Sequence, residues 1–174
     1  DARGQFYTDG QTKEIDDIGS FTDGYAVQKF RNVDVNGVIG TDKSGTFSDS
    51  DFPIFRLADA YLMYAECAVR GAGGSLGTAL TYVNAIRTRA NATTISQGEL
   101  TQDFILDERA REFHWEGQRR TDLIRFGKFT GGSYLWPWKG NVSGGAPTQL
   151  YRNLFPIPAT AISSNSKLQQ NPGY

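Results

Sequence analysis

The sequence contains few of the residues that build disulfides and metal centres. Its 174 residues include one cysteine, Cys67, and one histidine, His114. A single thiol cannot form an internal disulfide or a cysteine-based zinc site. A metal would therefore need mostly oxygen ligands, and the sequence has no aspartate-rich loop of EF-hand spacing. We predict neither a metal site nor a cofactor.

The sequence also lacks a long apolar run and an excess of charge of either sign. No stretch approaches the roughly 18 apolar residues of a membrane-spanning helix. Lys and Arg total 18 against 19 Asp and Glu, a net charge of −1, which indicates no nucleic acid partner and no polybasic membrane patch. The first residues, 1–7, do not form a signal peptide.

What is present fits one domain, because 39% of the residues are hydrophobic and 13% are aromatic. Residues 1–51 are predicted to be irregular with one β-hairpin, residues 52–128 to be a helical core, and residues 129–174 to be a loop and C-terminal tail. In the first zone, 25–30 and 33–35 are strand-like, and Asn36-Gly37 favours a two-residue hairpin turn.

Two amphipathic helices are predicted at the start of the core. The first begins near Pro53, ends before Gly71, and has one apolar stripe at Ile54, Leu57, Ala58, Tyr61, Leu62, Ala65, Ala68 and Val69. Cys67 lies beside this stripe and is predicted to be a small core residue. Ser75 caps the second helix. The short connection predicts an antiparallel, tetratricopeptide-like helix pair.

A third helix starts at either Ser96 or Thr101 and is predicted to run to about Arg120. Residues 122–126 either continue it or form a fourth short helix. Glycine and proline make the chain loop-like from Thr130 onward, with an extended Phe155-Pro-Ile-Pro158 and a short turn or 3₁₀ helix within 159–167. The predicted fold is mainly α, with the tetratricopeptide-like pair, further helices, long irregular loops and a minor β-hairpin.

Glu108, Glu112 and Glu116 recur every four residues and share one face of the third helix. A glycosidase needs two carboxyl groups roughly 5–9 Å apart across a cleft, usually from different elements. Neighbours on one helix do not flank a substrate, and arginines would lower their pKa values. We therefore favour a structural ion-pair lattice over catalysis and predict that the protein is not an enzyme. The candidate cations are Arg109, Arg111, Arg119 and Arg120.

Four segments in order resemble one family. They are Phe52-Pro-Ile-Phe-Arg-Leu-Ala-Asp-Ala-Tyr-Leu-Met-Tyr-Ala-Glu-Cys67, Ala79-Leu-Thr-Tyr-Val-Asn-Ala-Ile-Arg-Thr-Arg-Ala90, Ile105-Leu-Asp-Glu-Arg-Ala-Arg-Glu-Phe-His-Trp-Glu-Gly-Gln-Arg-Arg-Thr-Asp-Leu-Ile-Arg125, and the ending from Phe155-Pro-Ile-Pro158 to Gln170-Asn-Pro-Gly-Tyr174. Together they resemble the C-terminal portion of the SusD/RagB group of outer-membrane nutrient-binding lipoproteins.

The resemblance implies a protein that binds oligosaccharides, or other nutrients, at the bacterial cell surface. It implies delivery of the ligand to a TonB-dependent transporter of the SusC type, on which family members resemble lids. Family members are longer and carry an N-terminal lipid anchor, so the resemblance implies that this chain is a fragment. It also implies that the protein attaches to the membrane only through a lipid anchor that is absent from this chain. The alternative is a helical protein-interaction scaffold in which this fragment binds no sugar.

The segment Tyr134-Leu-Trp-Pro-Trp-Lys139 is the best candidate for contact with a glycan. Sugar sites stack the apolar face of a pyranose on an aromatic ring and surround it with hydrogen-bonding groups. Large aromatics on a polar, glycine-rich loop suit that role. The predicted carbohydrate-binding residues are Tyr134, Trp136, Trp138 and Asn141. The alternative is that one or both tryptophans cover the core beneath the loop.

Overall fold

The structure, a computed structural model, describes residues 1–42 and 44–174. It is mainly helical, which confirms the predicted fold class. The helices are α1 (Leu57–Val69), α2 (Leu76–Arg89), α3 (Gln102–Glu112), α4 (Arg119–Arg125) and α5 (Ala159–Ser164), and the strands are β1 (Phe6–Tyr7) and β2 (Ala26–Val27). Short 3₁₀ segments lie at Gln97–Glu99, Lys139–Asn141 and Leu150–Asn153. The chain forms two compact units, Asp1–Arg119 and Arg120–Tyr174.

The core of the first unit lies among α1, α2 and α3. Small and branched side chains fill it, and they are Leu62, Ala65, Ala79, Val83, Ile86, Ile105 and Leu106. Alanines at the contact between α1 and α2 let the two helices approach closely. Tyr61 of α1 stacks on Tyr82 of α2 with ring centroids 4.3 Å apart. The tetratricopeptide-like character of this pair stays a prediction.

The connection between α1 and α2 depends on a glycine and a capping serine. Gly74 has a positive φ of 88°, and a Cβ there would meet the Tyr64 ring at 3.0 Å. The Tyr64 hydroxyl accepts a hydrogen bond from the Ser75 backbone N–H at 2.9 Å. The Ser75 side chain in turn accepts from the N–H of Thr78, so the predicted cap of α2 is confirmed.

The predicted start of α1 and the exposure of Cys67 need correction. Arg56 is extended, with φ −135° and ψ 149°, so α1 begins at Leu57 and Pro53 lies outside its first turn. Ile54 is exposed rather than part of the buried stripe. Cys67 is also exposed on α1, whereas the neighbouring Glu66 takes the buried position. The buried stripe of α1 therefore contains fewer residues than the spacing of apolar residues in the sequence predicted.

Both predicted starts near α3 are used, because each caps the beginning of a different helical segment. Ser96 and Glu99 form a capping box around the 3₁₀ turn Gln97–Glu99, and the Thr101 side chain then caps α3. The predicted extension of α3 to Arg120 is wrong. The helix ends at Glu112, since Trp115 and Gly117 have positive φ values of 65° and 75°, and α4 begins separately at Arg119.

The β structure is smaller than predicted and pairs differently. β1 and β2 are antiparallel, with Phe6 opposite Val27. A turn forms here, but it is centred on Val35 and Asn36 rather than on the predicted Asn36-Gly37 pair, because the Gly37 N–H donates to the Asp34 carbonyl. Among the described residues, the antiparallel bridge between Val33 and Ile39 flanks this turn. The Asp34 carboxylate accepts the backbone N–H groups of Asn36 and Val38, so a side chain takes over donors that a longer ladder would use.

The tail of the second unit is ordered by side chains rather than by a sheet. Gln170 donates to the carbonyl of Ile157 and accepts from its N–H, at 2.9 and 2.8 Å. Asn171 donates to the Phe155 carbonyl, and the Tyr174 hydroxyl donates to the Leu154 carbonyl. The Pro-Ile-Pro and Gln-Asn-Pro-Gly-Tyr segments therefore hold each other in place.

We predict that Leu62→Ala destabilises the chain by about 3 kcal/mol, because it removes a fully buried side chain and leaves a cavity. Met63→Ala, on the exposed side of the same helix, is the matched control and should change stability by about 0.5 kcal/mol or less. Urea denaturation of the two variants measures both values. Equal losses would contradict the placement of Leu62 in the core.

Candidate functional site

The three glutamates of the charged segment form a buried cluster. Glu108 is 0% exposed, Glu112 3% and Glu116 6%. We call Glu108, Glu112 and Glu116 the glutamate cluster. Because an ionised carboxylate is costly to bury alone, each needs a cation or several hydrogen bonds.

The cations come mainly from segments distant in sequence. Arg3 reaches Glu108 at 2.8 Å and Glu112 at 3.1 Å. Arg56 donates to Glu112 and Glu116, each at 2.8 Å. Four further cations complete the lattice: Lys29 with Glu116, Arg87 and Arg111 with Glu108, and Arg89 with Glu112.

The predicted ion-pair lattice is therefore confirmed, but its predicted cations are mostly wrong. Of the four arginines named from the sequence, Arg111 reaches the glutamate cluster. Arg109 pairs with Asp59 of α1 at 2.8 Å, and Arg119 donates to the Leu106 carbonyl at 2.9 Å. Helical spacing places Glu108 and Glu112 on one face of α3, but Glu116 lies in the turn after the helix, so the predicted helical face does not extend to it. The partners depend on which segments pack against these carboxylates.

The lattice favours the ionised form of Glu108 and Glu112. Burial raises the pKa of Glu108, but hydrogen bonds and charge from Arg3 and Arg111 outweigh burial and hold that pKa below its ordinary value. Burial likewise raises the pKa of Glu112, and Arg89 and Arg56 together lower it further than burial raises it. A general acid needs the opposite shift, so the cluster suits a structural role.

The second unit contains an aromatic loop, residues 129–152, that encloses a concave pocket of about 490 Å³. Its backbone is closed by the antiparallel bridge between Gly131 and Thr148. The pocket lining combines aromatic, amide and cationic side chains, and it consists of Phe129, Trp136, Lys139, Gly140, Asn141, Pro147, Thr148, Gln149 and Arg152. We call this the Trp136 pocket.

The buried side chain of Lys139 holds this loop together. Its Nζ donates to the carbonyls of Gly131 and Tyr134 at 2.9 and 2.7 Å, and it lies 4.6 Å from the centroid of the Trp136 ring. Desolvation lowers the pKa of Lys139 from its ordinary value. Two carbonyl acceptors and one aromatic face thus replace the water that a lysine normally keeps.

Glycine is required where the loop backbone comes closest to itself. Gly145 has φ 80°, and a Cβ there would lie 2.5 Å from the carbonyl oxygen of Trp136. Trp138 also has a positive φ, 67°, at the start of the 3₁₀ turn Lys139–Asn141. These backbone constraints determine the positions of the side chains that line the pocket.

The structure brings the four predicted carbohydrate residues together only in part. Trp136 and Asn141 line the pocket. Tyr134 contacts the Trp136 ring, with centroids 6.1 Å apart, and therefore supports it from the side. Trp138 begins the 3₁₀ turn and is not among the described lining residues. Whether any of the four binds sugar stays a prediction.

Sequence reasoning missed several lining residues. Phe129 stacks on Trp136 at 6.2 Å, and Gln149 and Arg152 join the lining from the far side of the loop. No sequence pattern indicated these lining residues, because they come near Trp136 only through the tertiary fold of the loop, which the backbone bridge between Gly131 and Thr148 closes. The residues that the structure describes contain no group of three or more His, Cys, Asp or Glu side chains that could hold a metal.

Comparison with known proteins identifies the family. The SusD family model matches residues 2–174. The chain belongs to the SusD family. None of the described helices of this SusD-family chain combines the length and apolarity required to cross a bilayer.

The starch-binding protein SusD of Bacteroides thetaiotaomicron is 42% identical to this SusD-family chain over 161 residues. The match covers 92% of this chain and 28% of that protein. The chain therefore spans less than a third of the length of this curated relative.

Solved structures support the same family. A SusD superfamily protein from Bacteroides vulgatus has a TM-score of 0.60 and 31% identity, covering 79% of this chain and 31% of that chain. The surface glycan-binding protein A of Bacteroides uniformis has a TM-score of 0.58 and 28% identity, covering 71% and 28%. A SusD-like protein from Bacteroides fragilis, at 24% identity, supports the fold alone, with a TM-score of 0.63 over 99% of this chain and 37% of that chain.

We predict that Glu112→Gln lowers the free energy of unfolding by about 3–5 kcal/mol, because Arg3, Arg56 and Arg89 lose a shared buried anion. Asp107→Asn, which removes an exposed carboxylate from the same helix, is the control and should change it by about 0.5 kcal/mol or less. Urea denaturation near neutral pH measures both. Indistinguishable stabilities would contradict the structural role of the glutamate cluster.

Acid should weaken the same lattice. The pKa values of Glu108 and Glu112 are lower in the folded chain than the ordinary value of 4.5. Their stabilisation is therefore present above 4.5 and is lost as the pH falls through the lowered values. We expect the urea midpoint to fall between about pH 5 and about pH 3, and to fall less steeply in Glu112→Gln. Parallel curves for the two proteins would be the contrary result.

Proposed function

We propose that this chain is part of a cell-surface protein that binds an oligosaccharide and does not transform it. Two similar proteins are named for glycan binding: the starch-binding protein SusD and the surface glycan-binding protein A. The observation in this chain that carries the proposal is the Trp136 pocket. The proposal extends to delivery of the bound ligand to a TonB-dependent transporter of the SusC type and to lipid anchoring at the outer membrane.

The pocket has the chemistry that a pyranose ring requires. The Trp136 indole lines the pocket beside Phe129, and together they supply apolar ring surface against which the C–H side of a sugar can pack. Asn141 and Gln149 supply amide donors and acceptors in the lining, as the hydroxyl groups of a sugar require. The volume of about 490 Å³ lies in the range of small-ligand sites.

The Trp136 pocket also suits a site that binds without reaction. None of its described lining residues is an aspartate, glutamate or histidine. Hydrolysis of a glycosidic bond requires a pair of carboxyl groups across the substrate. The three carboxylates of the glutamate cluster are occupied by arginine and lysine and belong to α3 and the turn after it.

Exposed apolar residues favour the second candidate, a helical protein-interaction scaffold. Phe52, Ile54, Phe55 and Leu57 are 57–89% exposed, next to one another at the entry to α1. A contiguous exposed apolar group of this kind is typical of a protein contact. The two candidates differ in one measurable property, since the scaffold requires no sugar binding.

We predict that Trp136→Ala weakens oligosaccharide binding by about thirtyfold or more, which corresponds to about 2 kcal/mol for a central aromatic contact. A glycan array selects the ligand, and isothermal titration calorimetry measures its dissociation constant. Gln149→Ala, at an exposed lining residue, should weaken binding by a smaller factor without disturbing the packing of the loop.

Two tryptophan variants control this experiment. Trp115→Ala removes an equally large ring that is 63% exposed in the Asp1–Arg119 unit, and it should leave binding unchanged. Trp138→Ala tests the second predicted tryptophan separately. Wild-type affinity in both Trp136→Ala and Gln149→Ala would remove the pocket as the sugar site, and the absence of any glycan ligand would favour the scaffold.

A further inference from the structure

The near-neutral net charge of the chain conceals a strong separation of charge between its two units. The Asp1–Arg119 unit contains twelve Lys and Arg against eighteen Asp and Glu, a formal charge of −6. The Arg120–Tyr174 unit contains six Lys and Arg against one aspartate, a formal side-chain charge of +5. The unit that carries the Trp136 pocket is therefore strongly cationic.

The one acidic side chain of that unit does not offset this charge at its surface. Asp122 is 1% exposed and pairs with Arg125 at 2.8 Å. The unit has no glutamate, so all of its other charged side chains are cations. The charged side chains of this unit by themselves produce a positive potential, which attracts anions and repels cations.

Cations also accompany each aromatic ring around the pocket. Arg152 itself lines the pocket and is exposed to solvent. The Nζ of Lys128 lies 5.5 Å from the Tyr134 ring, and the guanidinium of Arg120 lies 4.9 Å from the Phe129 ring. Lys139 lies against Trp136 but its Nζ is committed to two backbone carbonyls, which leaves Arg152 as the cation best placed to meet a ligand.

We infer that the Trp136 pocket takes acidic oligosaccharides, whose sugars carry uronate carboxylates or sulfate esters. This inference rests on the proposed function and names its substrate class. The guanidinium of Arg152 can donate two parallel hydrogen bonds to either anion, while the sugar ring stacks on Trp136. A neutral glycan can accept ordinary hydrogen bonds from Arg152 but lacks the additional attraction between opposite charges, and none of the described lining residues is a carboxylate that would repel an acidic glycan. One relative is named for binding starch, which is a neutral glycan. The ligand inferred for this site therefore differs from starch in charge.

The test compares sugars that differ only in charge, using the full chain. Oligogalacturonate and its methyl ester form one pair, and a sulfated carrageenan oligosaccharide and its desulfated form make the other. Isothermal titration calorimetry of the four probes should show the charged member of at least one pair binding about tenfold more tightly, as a charge-assisted hydrogen bond predicts. The pair that responds identifies carboxylate or sulfate as the anion.

Arg152→Gln should lower the affinity for the charged member about tenfold, to that of the neutral member, because the charge-assisted hydrogen bonds are lost. Lys167→Gln removes the same charge from an exposed tail residue that is not in the described lining, and it should keep the preference. Equal loss in the two variants would overturn the assignment of selectivity to Arg152. Circular dichroism spectra of both variants confirm that the fold is retained.

The outcomes separate this inference from the function on which it rests. Equal affinity for charged and neutral members, with sensitivity to Trp136→Ala, overturns the acidic ligand class and leaves oligosaccharide binding intact. Failure of all four probes and of neutral maltooligosaccharides to bind overturns both. Tighter binding of a charged member, lost in Arg152→Gln and retained in Lys167→Gln, supports both.

Discussion

The first unit depends on matching three buried carboxylates of one short segment with cations from the rest of the chain. Arg3 lies near the N-terminus, Arg56 immediately precedes α1, and Arg87 and Arg89 end α2, yet all four converge on the glutamate cluster. A carboxylate buried without its partner would cost several kcal/mol. The lattice therefore specifies which segments meet, while the apolar residues between α1, α2 and α3 supply the bulk of the packing.

The second unit uses the same principle with different groups. It has little regular structure, so side-chain donors rather than a backbone ladder satisfy several of its carbonyls. Lys139 supplies two of these donors to the aromatic loop, and Gln170, Asn171 and Tyr174 supply others to the Pro-Ile-Pro segment. A chain with many glycines and prolines is thereby held in one conformation, and the Trp136 ring is held beside a pocket. A preorganised aromatic surface loses little conformational entropy when it binds a ligand.

The two units differ in architecture and in formal charge. The Asp1–Arg119 unit contains the packed helices α1, α2 and α3 and has net negative charge, whereas the Arg120–Tyr174 unit contains the aromatic loop and has net positive charge. The proposal that follows is a protein that holds a sugar by stacking, amide hydrogen bonds and charge. Each carboxylate of the glutamate cluster is paired with cations, which favours a structural role for it.

Much of the fold was predictable because local rules decide it. The period of apolar residues located α1, α2 and α3, and Ser75 and Thr101 marked helix starts that the structure confirms. The predictions failed where backbone conformation or tertiary packing differed from what the local sequence pattern indicated. Trp115 adopts a left-handed conformation and α3 ends early. Cys67 has a position adjacent to the apolar stripe but faces solvent, because Glu66 takes the buried site with Arg70 as partner.

The sequence by itself determined the positions of α1 and α2, the start of α3, the shared helix face of Glu108 and Glu112, and the family, since each is encoded in short spacings or ordered motifs. Only the tertiary structure decided which cations reach those glutamates and which loop residues line the pocket. Arg3 and Glu108, or Trp136 and Arg152, become neighbours through backbone pairing and helix packing. Contacts of that kind depend on chain reversals between distant segments, and no periodicity or local motif records them.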